Sequence, residues 1–124
     1  MRHARAWLVC LALGASALPA LAAGWVAALK NTPAEAFEEE DLRLFLDSAS
    51  QLLKAEGQPE PISWSNPDTG AGGRFELVGR STNAQGLSCK RVRFSVHARN
   101  RAAKTATWTA CLNAQGRWQL TQAR

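Results

Sequence analysis

The stretch LSCKRVRFSVHARNRAAKTATWTACL, residues 87–112, decides the fold. Two runs of alternating character flank the polar tripeptide Arg99-Asn100-Arg101. In the first run Val92, Phe94 and Val96 share one side, while Cys89, Arg91, Arg93, Ser95 and His97 share the other. In the second, Trp108, Ala110 and Leu112 stand opposite Thr105, Thr107, Thr109 and Cys111. With Asn100 at the tip of a β-hairpin, the numbers of facing residues sum to 200, so Val92 faces Trp108, Phe94 faces Ala106 and Cys89 faces Cys111. Directly opposed residues of an antiparallel pair lie within disulfide range. One register thus serves the apolar face and the cysteines together, and a slip of one residue breaks both. Both cysteines fall on the polar face, opposite the predicted core.

Outward from the hairpin, Arg74 to Arg80 and Arg117 to Thr121 read as further strands, with the hairpin strands running from Leu87 to Arg99 and from Lys104 to Leu112. Asn83 and Gly86 mark one connection, and Asn113 and Gly116 another. Connections this short predict a four-stranded antiparallel meander. Trp64-Ser65-Asn66-Pro67-Asp68-Thr69-Gly70 reads as turn chemistry beside an aromatic anchor, with Trp64 packing back on the sheet edge. Trp108 falls on the core face and Trp118 at the start of the last strand.

The N-terminal part has helical spacing. Thr32-Pro33-Ala34-Glu35 has the form of a capping box. The acidic run Glu38-Glu39-Glu40-Asp41 suits a helix start, and Leu42, Phe45, Ala49, Leu52 and Leu53 form one apolar stripe. Lys54 suits the far end, Gly57 supplies a stop, and Pro59 and Pro61 prevent continuation. Either one bent helix starts at Pro33, or a short turn precedes a helix from about Glu40 with Asp41 near its cap; the second arrangement is preferred. The amphipathic helix is the one candidate cover for the apolar side of the sheet. The predicted class is α+β: an N-terminal amphipathic helix on a four-stranded antiparallel β-meander with one cross-strand disulfide.

The first 22 residues read as a secretory signal peptide. Arg2 and Arg5 precede an uncharged, mostly apolar run from Ala6 to Leu18, and Ala20-Leu21-Ala22 offers an A-x-A cleavage site. That run is shorter than the roughly 20 residues a spanning helix needs, although Trp25 to Leu29 could lengthen it. Val9 before Cys10, in the middle of the apolar run, does not make a lipobox. About 102 residues remain after cleavage, enough for one small domain. An even pair of cysteines in an exported chain implies a structural disulfide, worth about 3 kcal/mol on the chain-entropy model.

Charge is divided unevenly along the chain. Residues 23–61 hold three basic and eight acidic side chains, and residues 62–124 hold ten basic and two acidic ones. The halves attract each other or face different partners. Lys90, Arg91, Arg93, Arg99, Arg101 and Lys104 gather around the hairpin and are the candidate binding residues for an anionic partner. Export and the lack of aromatic residues among these cations argue against nucleic acid and for anionic envelope components. The sequence suggests no catalytic constellation: His97 is the one histidine after the leader, and Ser95 beside it has no acid nearby in sequence. No metal site is expected, since Glu38 to Asp41 lack the spacing of a calcium loop and two cysteines with His97 do not make a zinc site. Gly70-Ala71-Gly72-Gly73 lacks the lysine of a phosphate loop, and no cofactor is expected.

The segments Trp64-x-Asn66-Pro67-x-Thr69-Gly70-x-x-Gly73, Cys89-Lys90-Arg91 and Cys111-x(4)-Gly116-x-Trp118 together resemble the C-terminal domain of the 17 kDa outer membrane surface antigen family of Gram-negative bacteria. The resemblance runs from about Asp41 to Leu120 and marks Trp64, Asn66, Pro67, Gly70, Gly73, Gly116 and Trp118 as the motif residues. The lipobox and glycine zipper that many members carry do not occur here. With the leader and the capping box read above, the chain divides into a signal peptide (1–22), an N-terminal segment with a short helix (23–40) and, by the resemblance, a surface-antigen-like domain (41–124). The resemblance implies a structural or binding module of the envelope without catalytic activity, in the periplasm or at the outer membrane. The alternative is a small disulfide-stapled inhibitor or accessory subunit that docks on an envelope enzyme through the tip Arg99 to Lys104.

Overall fold

The computed structural model describes Gly24, Trp25 and residues 27–121; the predicted leader, its cleavage site and Cys10 lie outside the described residues. Five strands form one antiparallel sheet in chain order: β1 (Ile62–Asn66), β2 (Ala71–Thr82), β3 (Ser88–Ala98), β4 (Arg101–Leu112) and β5 (Trp118–Thr121). An α-helix, α1 (Glu39–Lys54), precedes them, itself preceded by a 3-10 turn at Pro33–Ala36.

The hairpin register is the predicted one over most of its length. Cys89 pairs with Cys111, Val92 with Trp108 and Phe94 with Ala106, and Cys89 and Cys111 are disulfide-bonded with Cα atoms 4.0 Å apart. The tip departs from the prediction. Ala98 pairs with Arg101, so the loop is Arg99-Asn100 alone, and the ladder shifts by one residue between Val96 and Ala98. The extra residue lies on β4, and Asn100 absorbs the reversal in the left-handed region at φ 60°.

The sheet has five strands, not four. Trp64 to Asn66, read as the start of a turn, belong to an edge strand, Ile62–Asn66, paired with Ala71–Phe75 of β2. Prolines on both sides and a buried asparagine at its end conceal a short alternation, in which Trp64 and Asn66 point inward and Ser63 and Ser65 outward. An edge strand needs a ladder on one side only, so flanking prolines are tolerated. For a similar reason β2 starts at Ala71 rather than Arg74. Gly72 and Gly73 have low strand propensity, yet they pair with Ser65 and Trp64 on one side and with His97 and Val96 on the other.

The two outer hairpins share the tetrapeptide Asn-Ala-Gln-Gly, at residues 83–86 and 113–116. In each the asparagine Oδ1 accepts two backbone N–H groups, from Gln85 and Leu87 or from Gln115 and Arg117. Gly86 and Gly116 take φ 77° and 76°, where a side chain would strain the turn.

The helix follows the preferred arrangement of a short turn and then a longer helix. Thr32 Oγ1 accepts the N–H of Ala34 to cap the 3-10 turn, and Glu35 Oε1 accepts the N–H of Asn31. The α-helix then starts at Glu39, where Asp41 Oδ2 accepts the N–H of the N-cap Glu38 at 2.9 Å. Its inward stripe is Asp41, Phe45, Ser48, Ala49, Leu52 and Leu53. Arg43 on the outer face pairs with Glu40 and Asp47.

The helix is not the whole cover. It lies over β1 and β2, while the segment before it covers β3 and β4. Trp25, fully buried, stands edge-on to Phe45, Phe75 and Phe94 at 5.7, 5.9 and 5.8 Å between ring centroids. With Leu29 and Ala28 it closes the half of the core that α1 does not reach.

Candidate functional site

One face of the sheet is thus covered by α1 and the Trp25 segment, and the other is polar and, among the described residues, uncovered. The strand registers order that open face into rows across the sheet. Ser63, Arg74, Ser95 and Thr105 form one row; Glu76, Arg93 and Thr107 the next. Gly79, Arg91, Thr109 and Thr121 form a third, and Ser81, Cys89, Cys111 and Gln119 a fourth. The disulfide therefore lies within the open face, tying β3 to β4 beside Arg91. Arg74, Glu76, Arg93, Ser95 and Thr105 surround a depression of about 290 Å³. Arg93 Nη1 lies 3.7 Å from Glu76 Oε2, with both side chains about half exposed, so this pair is weak and water-screened. Three arginines against one glutamate leave the rows cationic, and the hydroxyls of Ser95, Thr105 and Thr107 stand among them.

The six predicted cations do not form one patch. Arg91 and Arg93 belong to the open face, and Arg99 and Arg101 to the hairpin tip, where both are exposed. Lys90 and Lys104 point to the helix side. Lys90 is buried, donates to the carbonyls of Leu53 and Ala55 at the end of α1, and stands 5.1 Å from the centre of the Trp118 ring. A cation there meets the unpaired carbonyls of the helix C-terminus. Burial, and then the charge of Arg80, push its pKa below the ordinary lysine value, against the pull of Glu56. Lys104 Nζ donates to the carbonyl of Asn31 at 3.1 Å. Alternation along each strand separates Lys90 from Arg91 by the thickness of the sheet. Arg74 was not among the predicted residues; the signal for it was its place on the same alternation as Glu76, once β2 is paired with β3.

The motif residues around Asn66 gather at the start of α1. Asp41, fully buried, accepts at Oδ1 from Asn66 Nδ2 at 2.7 Å and from the Thr69 hydroxyl at 2.6 Å. Asn66 Oδ1 in turn accepts the N–H of Asp68, its carbonyl accepts the N–H of Gly70, and Gly70 takes φ 74°. Pro67 sits in this turn, exposed. Burial drives the Asp41 carboxyl upward, but hydrogen bonds from Thr69, the Glu38 amide and Asn66 outweigh it and hold its pKa below the ordinary value. With donors on both oxygens, Asp41 is committed to joining the helix to the β1–β2 turn. A Cβ on Gly73 would lie 2.4 Å from the Ser95 carbonyl and 2.9 Å from Trp64 Nε1, so the bare backbone there admits the Trp64 indole. Gly116 and Trp118 lie apart from this knot, in the last hairpin and under Lys90.

His97 is exposed and stands beside Gly72, where a Cβ would lie 2.6 Å from its ring. Among the described residues no three of His, Cys, Asp and Glu are grouped to hold a metal ion, and no helix is long and apolar enough to cross a membrane.

Neither a curated protein nor a solved structure matches the chain. A family model does, that of the 17 kDa outer membrane surface antigen, over residues 51–119. The match takes in all five strands up to Gln119, the Trp64 to Gly73 segment, both cysteines and Trp118. With more than half of its length inside that match, the chain belongs to the 17 kDa outer membrane surface antigen family.

Proposed function

We propose that the protein is an exported, non-catalytic module of the cell envelope that binds an anionic envelope component on the open face of its sheet. The observation that carries this reading is the row structure of that face, where Arg74, Arg91 and Arg93 stand among serines and threonines with Glu76 as the one acid. Guanidinium and hydroxyl donors in this arrangement suit phosphate or carboxylate groups spread over a surface. Family membership supports placement in the envelope. Asp41 supports a non-catalytic role, because its oxygens are already occupied by structural donors.

The test is sedimentation of the protein with phosphatidylglycerol vesicles and with neutral phosphatidylcholine vesicles. Binding to the anionic vesicles, reduced about tenfold or more by reversing Arg91 and Arg93 to glutamate, is the expected result. Equal binding to both vesicle types would refute it. Recovery of the protein from the periplasm with a mass that starts at Ala23 is the companion test of export.

The hairpin tip carries a second reading, an accessory or inhibitory subunit that docks on an envelope enzyme. It is favoured by the exposure of Arg99 to Thr105 in an unbroken run.

A further inference from the structure

The two long edges of the sheet are finished differently. Beside β2, the segment Ala55 to Pro61 runs along the part that β1 leaves uncovered: Gln58 Nε2 donates to the carbonyl of Leu77, Arg80 donates to the carbonyl of Gly57, and a bulge breaks the ladder between Leu77 and Gly79. Prolines at 59 and 61 lie next to it. These are the usual devices that blunt an edge. On the opposite side, β4 spans Arg101–Leu112, but among the described residues β5 pairs only with Thr109 to Leu112. The outer backbone of β4 from Arg101 to Trp108 faces no strand there, and Arg101 to Thr105 are all exposed.

We infer that this free length of β4 is a strand-addition site for an extended, acidic segment of a partner protein. This deepens the docking reading of the tip: it names what docks and how, and does not require the partner to be an enzyme. Strand addition supplies affinity through main-chain hydrogen bonds and specificity through alternate side chains. Here the alternation puts Lys104, Ala106 and Trp108 on the helix side, with Ala106 and Trp108 only partly buried. Thr105 and Thr107 are on the other. A guest strand would set apolar side chains beside Ala106 and Trp108, and acids beside Arg101 and Lys104. On the helix side the edge opens into a cleft lined by Asn31, Pro33, Glu35, Arg101 and Lys104, in which Glu35 already bonds the Asn31 amide.

Charge selects the guest. From Leu77 to Arg124 the sequence has no acidic residue, so a second copy pairing β4 on β4 would bring in a second set of Arg99, Arg101 and Lys104 with only Glu35 of the cleft, already bonded to the Asn31 amide, to offset them. Such like-charge pairing across strands is unfavourable. An acidic guest removes the conflict, and the cations double as protection against self-pairing while the edge is empty.

The experiment is a titration of the purified protein with the eight-residue peptide Thr-Val-Thr-Val-Thr-Glu-Thr-Glu, whose helix-side face sets valines beside Trp108 and Ala106 and glutamates beside Lys104 and Arg101, read by amide chemical shifts and hydrogen exchange. Shifts confined to the hairpin and slowing of exchange by about tenfold or more for amides between Arg101 and Trp108 are expected. Arg101→Glu with Lys104→Glu weakens binding about tenfold. A peptide N-methylated on alternate residues, and one with lysine for glutamate, do not bind. Equal binding of the N-methylated peptide would reduce the site to side-chain docking at the tip and overturn strand addition. Protection of the same amides in the free monomer, self-association in sedimentation, or no shifts at millimolar peptide would each overturn it too. Vesicle binding on the open face is measured separately and decides nothing here.

Discussion

Asp41 Oδ1 accepts the side-chain amide of Asn66 at 2.7 Å, joining the first turn of α1 to the turn between β1 and β2 across 25 positions of sequence. The bond is wholly buried and is reinforced by the Thr69 hydroxyl on the same oxygen. Asp41→Ala removes the acceptor that three donors share, the Asn66 amide, the Thr69 hydroxyl and the Glu38 N–H, and is expected to destabilise the protein by about 3 kcal/mol, measured by urea unfolding. A loss under 1 kcal/mol would show that water replaces the carboxylate.

The same residue sets an acid limit. Its pKa in the folded state lies below the ordinary aspartate value of 3.8, so folding favours its ionised form. The contribution is complete above the unfolded pKa and is lost as pH falls through the folded one, that is, from about pH 4 downward. Asp41→Asn should therefore lower stability at pH 7 and flatten the acid limb of the stability profile. An unchanged limb in the variant would assign acid unfolding to other carboxylates.

Lys90 and Arg91 are neighbours in sequence with opposite expected phenotypes. Lys90→Met removes the donor to the Leu53 and Ala55 carbonyls and the cation beside Trp118, and should cost about 1–3 kcal/mol of stability while leaving anionic-vesicle binding intact. Arg91→Glu should instead weaken anionic-vesicle binding about tenfold. Thermal melts and vesicle sedimentation on the two variants separate these outcomes.

Glycines 73 and 79 differ in the same way. Alanine at 73 drives a methyl to 2.4 Å from the Ser95 carbonyl, whereas at 79 the nearest atom is Arg91 Cβ at an ordinary 3.8 Å. Gly73→Ala is expected to lose about 2 kcal/mol or more, by displacing β1 and Trp64 from β2. Gly79→Ala should be neutral or stabilising by a few tenths of a kcal/mol, through the unfolded chain. Chemical denaturation of both variants provides the comparison.

Breaking the Cys89–Cys111 bond by Cys89→Ser with Cys111→Ser releases a loop of separation 22. A loss of about 3 kcal/mol in calorimetry is expected, with the hairpin register retained in amide spectra.

Much of the sheet was legible because its central hairpin is over-determined. Valines, phenylalanine, threonines and cysteines alternate in phase, and a single register satisfies all of them. What escaped the sequence had physical causes. β1 is short, ends on a buried asparagine and is fenced by prolines, so its period of two never accumulates. Asp41 lies on the buried stripe with Phe45, Ser48 and Leu52, but within a run of four acids it reads as a helix-start charge. Lys90 follows a cysteine and precedes an arginine, and only the alternation of the strand puts it under the helix. Trp25 adjoins the apolar leader, so it reads as part of a membrane-directed stretch, whereas its ring completes the core. On the candidate site, Arg91 and Arg93 were legible from strand phase, and Arg74 needed the β2–β3 pairing.

The indole of Trp25 separates the unit of recognition from the unit of folding. The segment shared with the family begins at residue 51, inside α1, and ends at 119. A fragment cut to those limits keeps Phe75 and Phe94 but discards Trp25 and Phe45, the rings they pack on. It would be a sheet stripped of its lid, with a core-sized oily face in water and a strong tendency to clump. What the family model matches in this chain is a scaffold whose core is closed by residues upstream of it.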